Sequence, residues 1–154
     1  MPGKRIEATT SRTAEWTCMS RAASSLEEES HYRSEDDIAA LLVPSFVRVL
    51  LHLPPIKVLY RRTVASKGMY EYVIARTKYI DAAFKQALAD RFDQIVLFGA
   101  GFDTRALRFR SALREIKVYE LDAPLTQSAK INRFRRCVLT VPPKRRVCRH
   151  RFRQ

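Results

Sequence analysis

Two glycines flank an alanine at Gly99-Ala100-Gly101, directly after the apolar run Ile95-Val96-Leu97-Phe98. Glycine carries no Cβ, so a chain turning there can pass close beneath a bound ligand. Glu120 follows Gly99 by 21 positions, and Asp122 stands two residues further on, at the end of a second apolar stretch, Ile116-Lys117-Val118-Tyr119. Strand, glycine loop, helix, strand and acid in that order is the layout in which a carboxylate meets the ribose hydroxyls of a nucleotide. Alternation along a strand puts Glu120 and Asp122 on one side, so both are candidates for that contact.

The loop narrows the kind of nucleotide. Thr104 occupies the place where a dinucleotide fingerprint has its third glycine, and no Lys-Ser/Thr pair follows to make a phosphate-cradling loop. Asp103 would repel a pyrophosphate but tolerate a cationic ammonium. S-adenosyl-L-methionine, with an adenosine, a sulfonium and an amino-acid tail, meets that condition. Asp103 itself is read as a helix cap rather than a ligand group, and Thr104 as the other candidate cap.

Several elements must position these residues. Ile95–Phe98 has no helical period and reads as a strand buried on both faces. A helix is expected over residues 11–26, capped by Ser11 or Thr13. A second is expected to start at Ser34 with Asp37 completing a capping box. Its predicted inward face is Ile38, Leu41, Leu42, Phe46, Val49, Leu50 and Leu53, interrupted at Pro44 and ended by Pro54-Pro55. A short basic amphipathic helix over residues 56–66 and a long one over 69–91 follow. The long helix turns Val73, Ile74, Ile80, Ala83, Phe84 and Leu88 inward and carries Arg76. Tyr72 and Ile80, the helical neighbours of Arg76, offer it nothing ionic, whereas its fork-shaped guanidinium suits a carboxylate. Pro124 starts a last helix, to Arg135, with Gln127 and Lys130 facing outward.

Three stretches resemble the leucine carboxyl methyltransferase family, in particular its bacterial S-adenosyl-L-methionine-dependent branch. They are Val96 to Arg105, Tyr119 to Pro124 followed by Gln127 and Lys130, and the helix Met69 to Asp81. The resemblance is expected to cover roughly residues 10 to 132 and then stop. It implies an α/β, Rossmann-like class I methyltransferase fold, incomplete here, with a helical N-terminal cap over residues 1–92. Residues 93–135 would be the first part of the cofactor-binding domain, and 136–154 a basic, unstructured tail. The implied cofactor is S-adenosyl-L-methionine, bound by Arg21 and Arg76 at its carboxylate, by Gly99, Ala100 and Gly101 beneath its methionine part, and by Glu120 or Asp122 at the ribose, with Asp122 favoured. The implied reaction is methyl transfer to an O- or carboxyl acceptor of unknown identity. No catalytic residue is assigned. A chain truncated after the second strand, ending in unrelated sequence, is expected to be weak or inactive.

The remaining features bound the alternatives. Of 29 Lys and Arg, nine fall in residues 133–154, which contain no acid; the rest of the chain is nearly balanced. That tail suits non-specific nucleic-acid binding through phosphates, the alternative function. A nicotinamide or flavin oxidoreductase is disfavoured by the absent third glycine. Cys18, Cys137 and Cys148 lack the spacing of a metal or disulfide framework, so no metal is expected. No apolar run approaches the ~18 residues of a membrane span, and the N-terminus lacks a secretory apolar segment. A cytoplasmic location is expected, with no membrane partner.

Overall fold

The computed structural model describes residues 9–64, 68–113 and 115–137. Helix α1 (Arg12–Ser25) is capped by Ser11, whose hydroxyl accepts from the Ala14 amide. Its buried side is made of small and polar residues, Cys18, Ser20, Ala22, Ala23 and Ser24, together with Arg21. Such a face packs closely but contributes little apolar area.

The predicted helix from Ser34 does not form as one piece. Ser34 is buried in the turn after α1, where its amide and hydroxyl bond to Ser24 and to the Arg21 carbonyl. Asp36 takes the capping role instead, accepting from the Ala39 amide at the start of α2 (Ala39–Leu42). Pro44 then splits the run as expected, and α3 (Ser45–Leu51) begins directly after it. Pro54 starts α4 (Pro54–Leu59) rather than ending a helix, because a proline in the first turn forfeits no intrahelical bond. The predicted basic helix is therefore α4 running into one π-helical turn, Tyr60–Val64. Of the predicted inward face, Leu42 is buried, but Phe46, Val49, Leu50 and Leu53 are exposed.

Gly68, at φ 80°, leads into α5 (Met69–Ala89), which buries Tyr70, Val73, Ile74 and Phe84 as well as Thr77 and Asp81. Ala83, predicted inward, is exposed. The helix ends on a paired set of bonds, Arg91 N–H to the Leu88 carbonyl and Phe92 N–H to the Ala87 carbonyl. That closure requires a left-handed residue, and here it is Arg91 at φ 57°.

Strand β1 (Gln94–Phe98) follows, then the glycine loop, two single-turn helices α6 (Arg105–Arg108) and α7 (Arg110–Leu113), and β2 (Lys117–Leu121). The strands pair in parallel, Gln94 opposite Lys117 through Phe98 opposite Leu121. Among the described residues this is the whole sheet. β1 is not buried on both faces: exposure alternates along it, and Phe98 is 80% exposed. The apolar run is suited to a covered parallel strand, and no described element covers its outward residues.

Helix α8 (Pro124–Cys137) is the last described element and packs against α2, with ties to α1. Ser11 N–H donates to Thr126 Oγ1, and Arg133 pairs with Glu15 and donates to the Leu42 carbonyl. The core lies between α1, α2 and α5 with Phe102 inserted from the glycine loop. Of the predicted tail, 136–154, Arg136 and Cys137 continue α8, and residues 138–154 lie outside the described residues.

Candidate functional site

The end of β1, the loop after it, the N-terminal half of α1 and the middle of α5 enclose a cleft of about 510 Å³. Gly99 and Gly101 both have left-handed φ, 60° and 51°, which a residue with a Cβ adopts only under strain. Their surroundings differ. A Cβ on Gly99 would meet nothing within 4 Å, whereas one on Gly101 would lie 3.0 Å from the Cβ of Ala14. Gly101 is therefore needed for the approach of α1 to the loop, and Gly99 is the open one. Ala100 lines the same wall, its amide donating to the Leu121 carbonyl.

The two acids separate. Asp122 lines the cleft and closes the loop, with Oδ2 accepting from Gly101 N–H at 2.5 Å and Oδ1 from Ala123 N–H at 2.6 Å. An ionised carboxylate has about four acceptor sites, so both oxygens keep capacity for a further hydroxyl. Glu120 does not line the cleft. It pairs with Lys130 Nζ at 2.6 Å, and Gln127 donates to its carbonyl. Lys130 is only 4% exposed and Gln127 half-buried, so the expectation that they face outward is corrected: the Glu120 carboxylate draws in Lys130 and the Glu120 backbone carbonyl draws in Gln127. Burial pushes the Glu120 carboxyl above its ordinary range, against the opposing pull of Lys130.

The two arginines separate as well. Arg76 is exposed on α5 at the cleft wall and has no hydrogen bond or ion pair among the described residues. Arg21 reaches the cleft from α1 but is already engaged. Its Nη2 donates to the Phe102 carbonyl at 2.8 Å and its Nη1 lies 3.5 Å from Asp36 Oδ2, while its buried Nε has no partner. Burial works against its charge, yet Asp36, Cys18 and Asp103 together hold its pKa above the ordinary value.

Sequence reasoning missed the polar framework behind the loop. The N-cap position of α6 falls on Thr104, whose side chain makes no cap bond; Asp103, one residue earlier, accepts the Arg105 amide at Oδ1 in an Asx turn, and its Oδ2 pairs with the Arg105 guanidinium. Burial alone would raise the Asp103 carboxyl, but Arg105 and its amide outweigh that and hold it below the usual range. Arg105 also donates to Asp81 and to the Thr77 carbonyl, pinning the loop to α5. Arg108 Nη2 stands 2.6 Å from the same Asp81 oxygen. The available signal was the spacing of Asp81 on a helix face that is otherwise apolar. Among the described residues no group of His, Cys, Asp or Glu is placed to hold a metal ion, and no helix is long and apolar enough to cross a membrane.

Residues 14–154 match the family model for leucine carboxyl methyltransferase. The chain belongs to that family. The family match runs through residue 154, so the resemblance does not stop near 132 as the motifs alone suggested. A Bacillus subtilis (strain 168) protein named "Putative S-adenosyl-L-methionine-dependent methyltransferase YktD" is 33% identical over 69 residues, 45% of this chain and 23% of that protein. A relative of the same description in Mycolicibacterium gilvum (strain PYR-GCK) is 41% identical over 76 residues, 49% of this chain and 30% of its own length. Another in Streptomyces coelicolor, SCO7813, is 41% identical over 69 residues, 43% of this chain and 24% of its own length. The chain covers less than a third of each of these relatives.

Proposed function

We propose that this chain is the cofactor-binding N-terminal portion of an S-adenosyl-L-methionine-dependent methyltransferase acting on an O- or carboxyl acceptor. In this reading β1, the glycine loop, α6–α7 and β2 are the opening unit of a Rossmann-like sheet, within a cofactor domain starting at residue 93. Residues 1–92 are a helical cap over the amino-acid end of the ligand, and 136–154 a basic tail.

The observation that carries the reading is the guanidinium of Arg76, held on α5 across the cleft from the glycine loop and without a partner among the described residues. An exposed arginine with no partner retains its full capacity for a bidentate carboxylate contact. The donor set fits the cofactor. Arg76 would hold its carboxylate, the open face at Gly99 and Ala100 would pass beneath its methionine part, and Asp122 would accept from ribose hydroxyls. Arg21 contributes positive potential from behind the loop, and Glu120 is withdrawn from the ribose role by Lys130.

The cofactor, when bound, supplies an electrophilic methyl group on a sulfonium. The residues of this chain bind and orient. Holding both ends of a ligand fixes the direction in which an acceptor must approach, and such positioning accounts for much of the rate in a direct displacement. Asp122 also keeps the loop in its left-handed turn, so binding surface and loop shape depend on the same carboxylate.

Calorimetric titration of the purified chain with S-adenosylhomocysteine tests the reading. A saturable one-to-one heat, weakened at least ~10-fold in Arg76→Ala, is expected, since a charged hydrogen-bonded contact is worth roughly 1.5–3 kcal/mol. A cooperatively folded chain that gives no saturable heat would overturn it.

A further inference from the structure

Asp36 has no part in lining the cleft, yet it is 1% exposed and touches three separate elements. Its Oδ1 accepts from Thr104 Oγ1 at 2.6 Å and from the Ala39 amide at 3.1 Å. Its Oδ2 faces Arg21 Nη1 at 3.5 Å, and Arg21 Nη2 in turn donates to the Phe102 carbonyl. The tripeptide Phe102-Asp103-Thr104 is thereby gripped at its first carbonyl and its last side chain by one buried carboxylate and the arginine beside it. Thr104, also 1% exposed, is held from behind, while Gly101 is held from the front by Asp122.

We propose that Asp36, acting through Thr104 and Arg21, is a positioning residue that sets the glycine loop for ligand binding. The inference rests on the cofactor reading above for its functional meaning, but the grip itself is a property of the chain alone. A buried carboxylate leaves water only where its acceptor sites are filled, and here the partners that fill them belong to the loop, to α1 and to the first amide of α2. The loop therefore cannot shift without leaving a buried charge short of partners. This differs from a core contact, in which a neighbour relaxes into the space left behind. It also assigns the middle of the predicted capping box a purpose that local helix formation does not require, since α2 is only four residues long.

The test compares Thr104→Val, which removes the hydroxyl at nearly constant volume, with Thr104→Ser, which keeps it. Leu51→Ala, a core change on α3, serves as a control for general loss of stability. Amide hydrogen exchange over residues 99–105 is read in the ligand-free chain, and S-adenosylhomocysteine affinity by calorimetry. We expect Thr104→Val to exchange on the order of 10-fold faster within the loop alone and to bind ~10-fold more weakly, with Thr104→Ser close to the unaltered chain. Loop exchange in Thr104→Val no faster than in Thr104→Ser or Leu51→Ala would overturn the proposal. If the unaltered chain binds no S-adenosylhomocysteine, the cofactor reading fails while the exchange comparison still decides the grip. Should Thr104→Val fail to fold, Asp36→Asn, which keeps an acceptor for Ala39 but removes the charge facing Arg21, is read the same way with the same deciding outcome.

Discussion

At the scale of single residues, the two loop glycines make a matched pair with different costs. Gly101→Ala would combine a left-handed backbone with a Cβ 3.0 Å from Ala14, a residue on a helix that cannot give way without disturbing Ser11 and its tie to Thr126. A loss of about 2–4 kcal/mol in urea unfolding is expected. Gly99→Ala meets open space, so only the backbone strain of about 1–2 kcal/mol remains. The order of binding effects should reverse relative to stability. Gly99→Ala puts its methyl on the open side of the loop and should weaken S-adenosylhomocysteine binding out of proportion to its small structural cost. Equal stability losses for the two variants would refute the assignment of Gly101 to helix packing.

Among elements, the ending of α5 sets where β1 begins, and it does so with a residue ill suited to the task. Arg91 occupies the left-handed position that glycine fills at most such helix ends, and its side chain has no partner among the described residues. Arg91→Gly is expected to stabilise the chain by about 0.5–1 kcal/mol, seen as a higher urea midpoint at unchanged slope. A lower midpoint would show that the arginine side chain contributes more than its backbone costs. Such details decide how far the sequence could be read. The order strand, glycine loop, helix, strand was legible because apolar runs of four ending in glycine or acid are short-range signals. The split at Pro44 and the cap at Ser11 were legible for the same reason. What was not legible depends on contacts across the chain. Lys130 and Gln127 fit an outward helix face until Glu120 is seen behind them. Asp36 resembles any capping acid until Thr104, 68 residues away, is found bonded to it. Strand burial was overread because an apolar run reports what a strand can be covered by, not what covers it.

For the molecule as a whole, charge and pH act through the buried acids in opposite senses. Asp103 has a folded pKa held below its ordinary 3.8, so its contribution to stability is fully present above that value and is lost as pH falls through the depressed one. Glu120 has a folded pKa raised above 4.5, so its contribution is greatest below that value and declines as pH rises through the raised one. The Asp103 contribution should therefore be lost only as pH drops below its ordinary 3.8, and Asp103→Asn should flatten that acid limb of the stability curve. An acid limb of unchanged steepness in Asp103→Asn would remove Asp103 from the account. Arg105, left facing Asp81 alone in that variant, keeps one carboxylate partner, which makes the variant a milder change than loss of Asp81 would be.

The ties between α1 and α8 also carry a meaning for how the protein is made. Ser11 meets Thr126 across 115 positions, and Glu15 meets Arg133 across 118. Helix α1 packs Cys18, Ala22 and Ala23 into the core with α2 and α5, and its N-terminal half, which the ties hold, builds one wall of the cleft. On the ribosome, then, these two ties can form only after residues 126 and 133 have emerged, so the α1 wall of the cleft is fixed later than the glycine loop it faces.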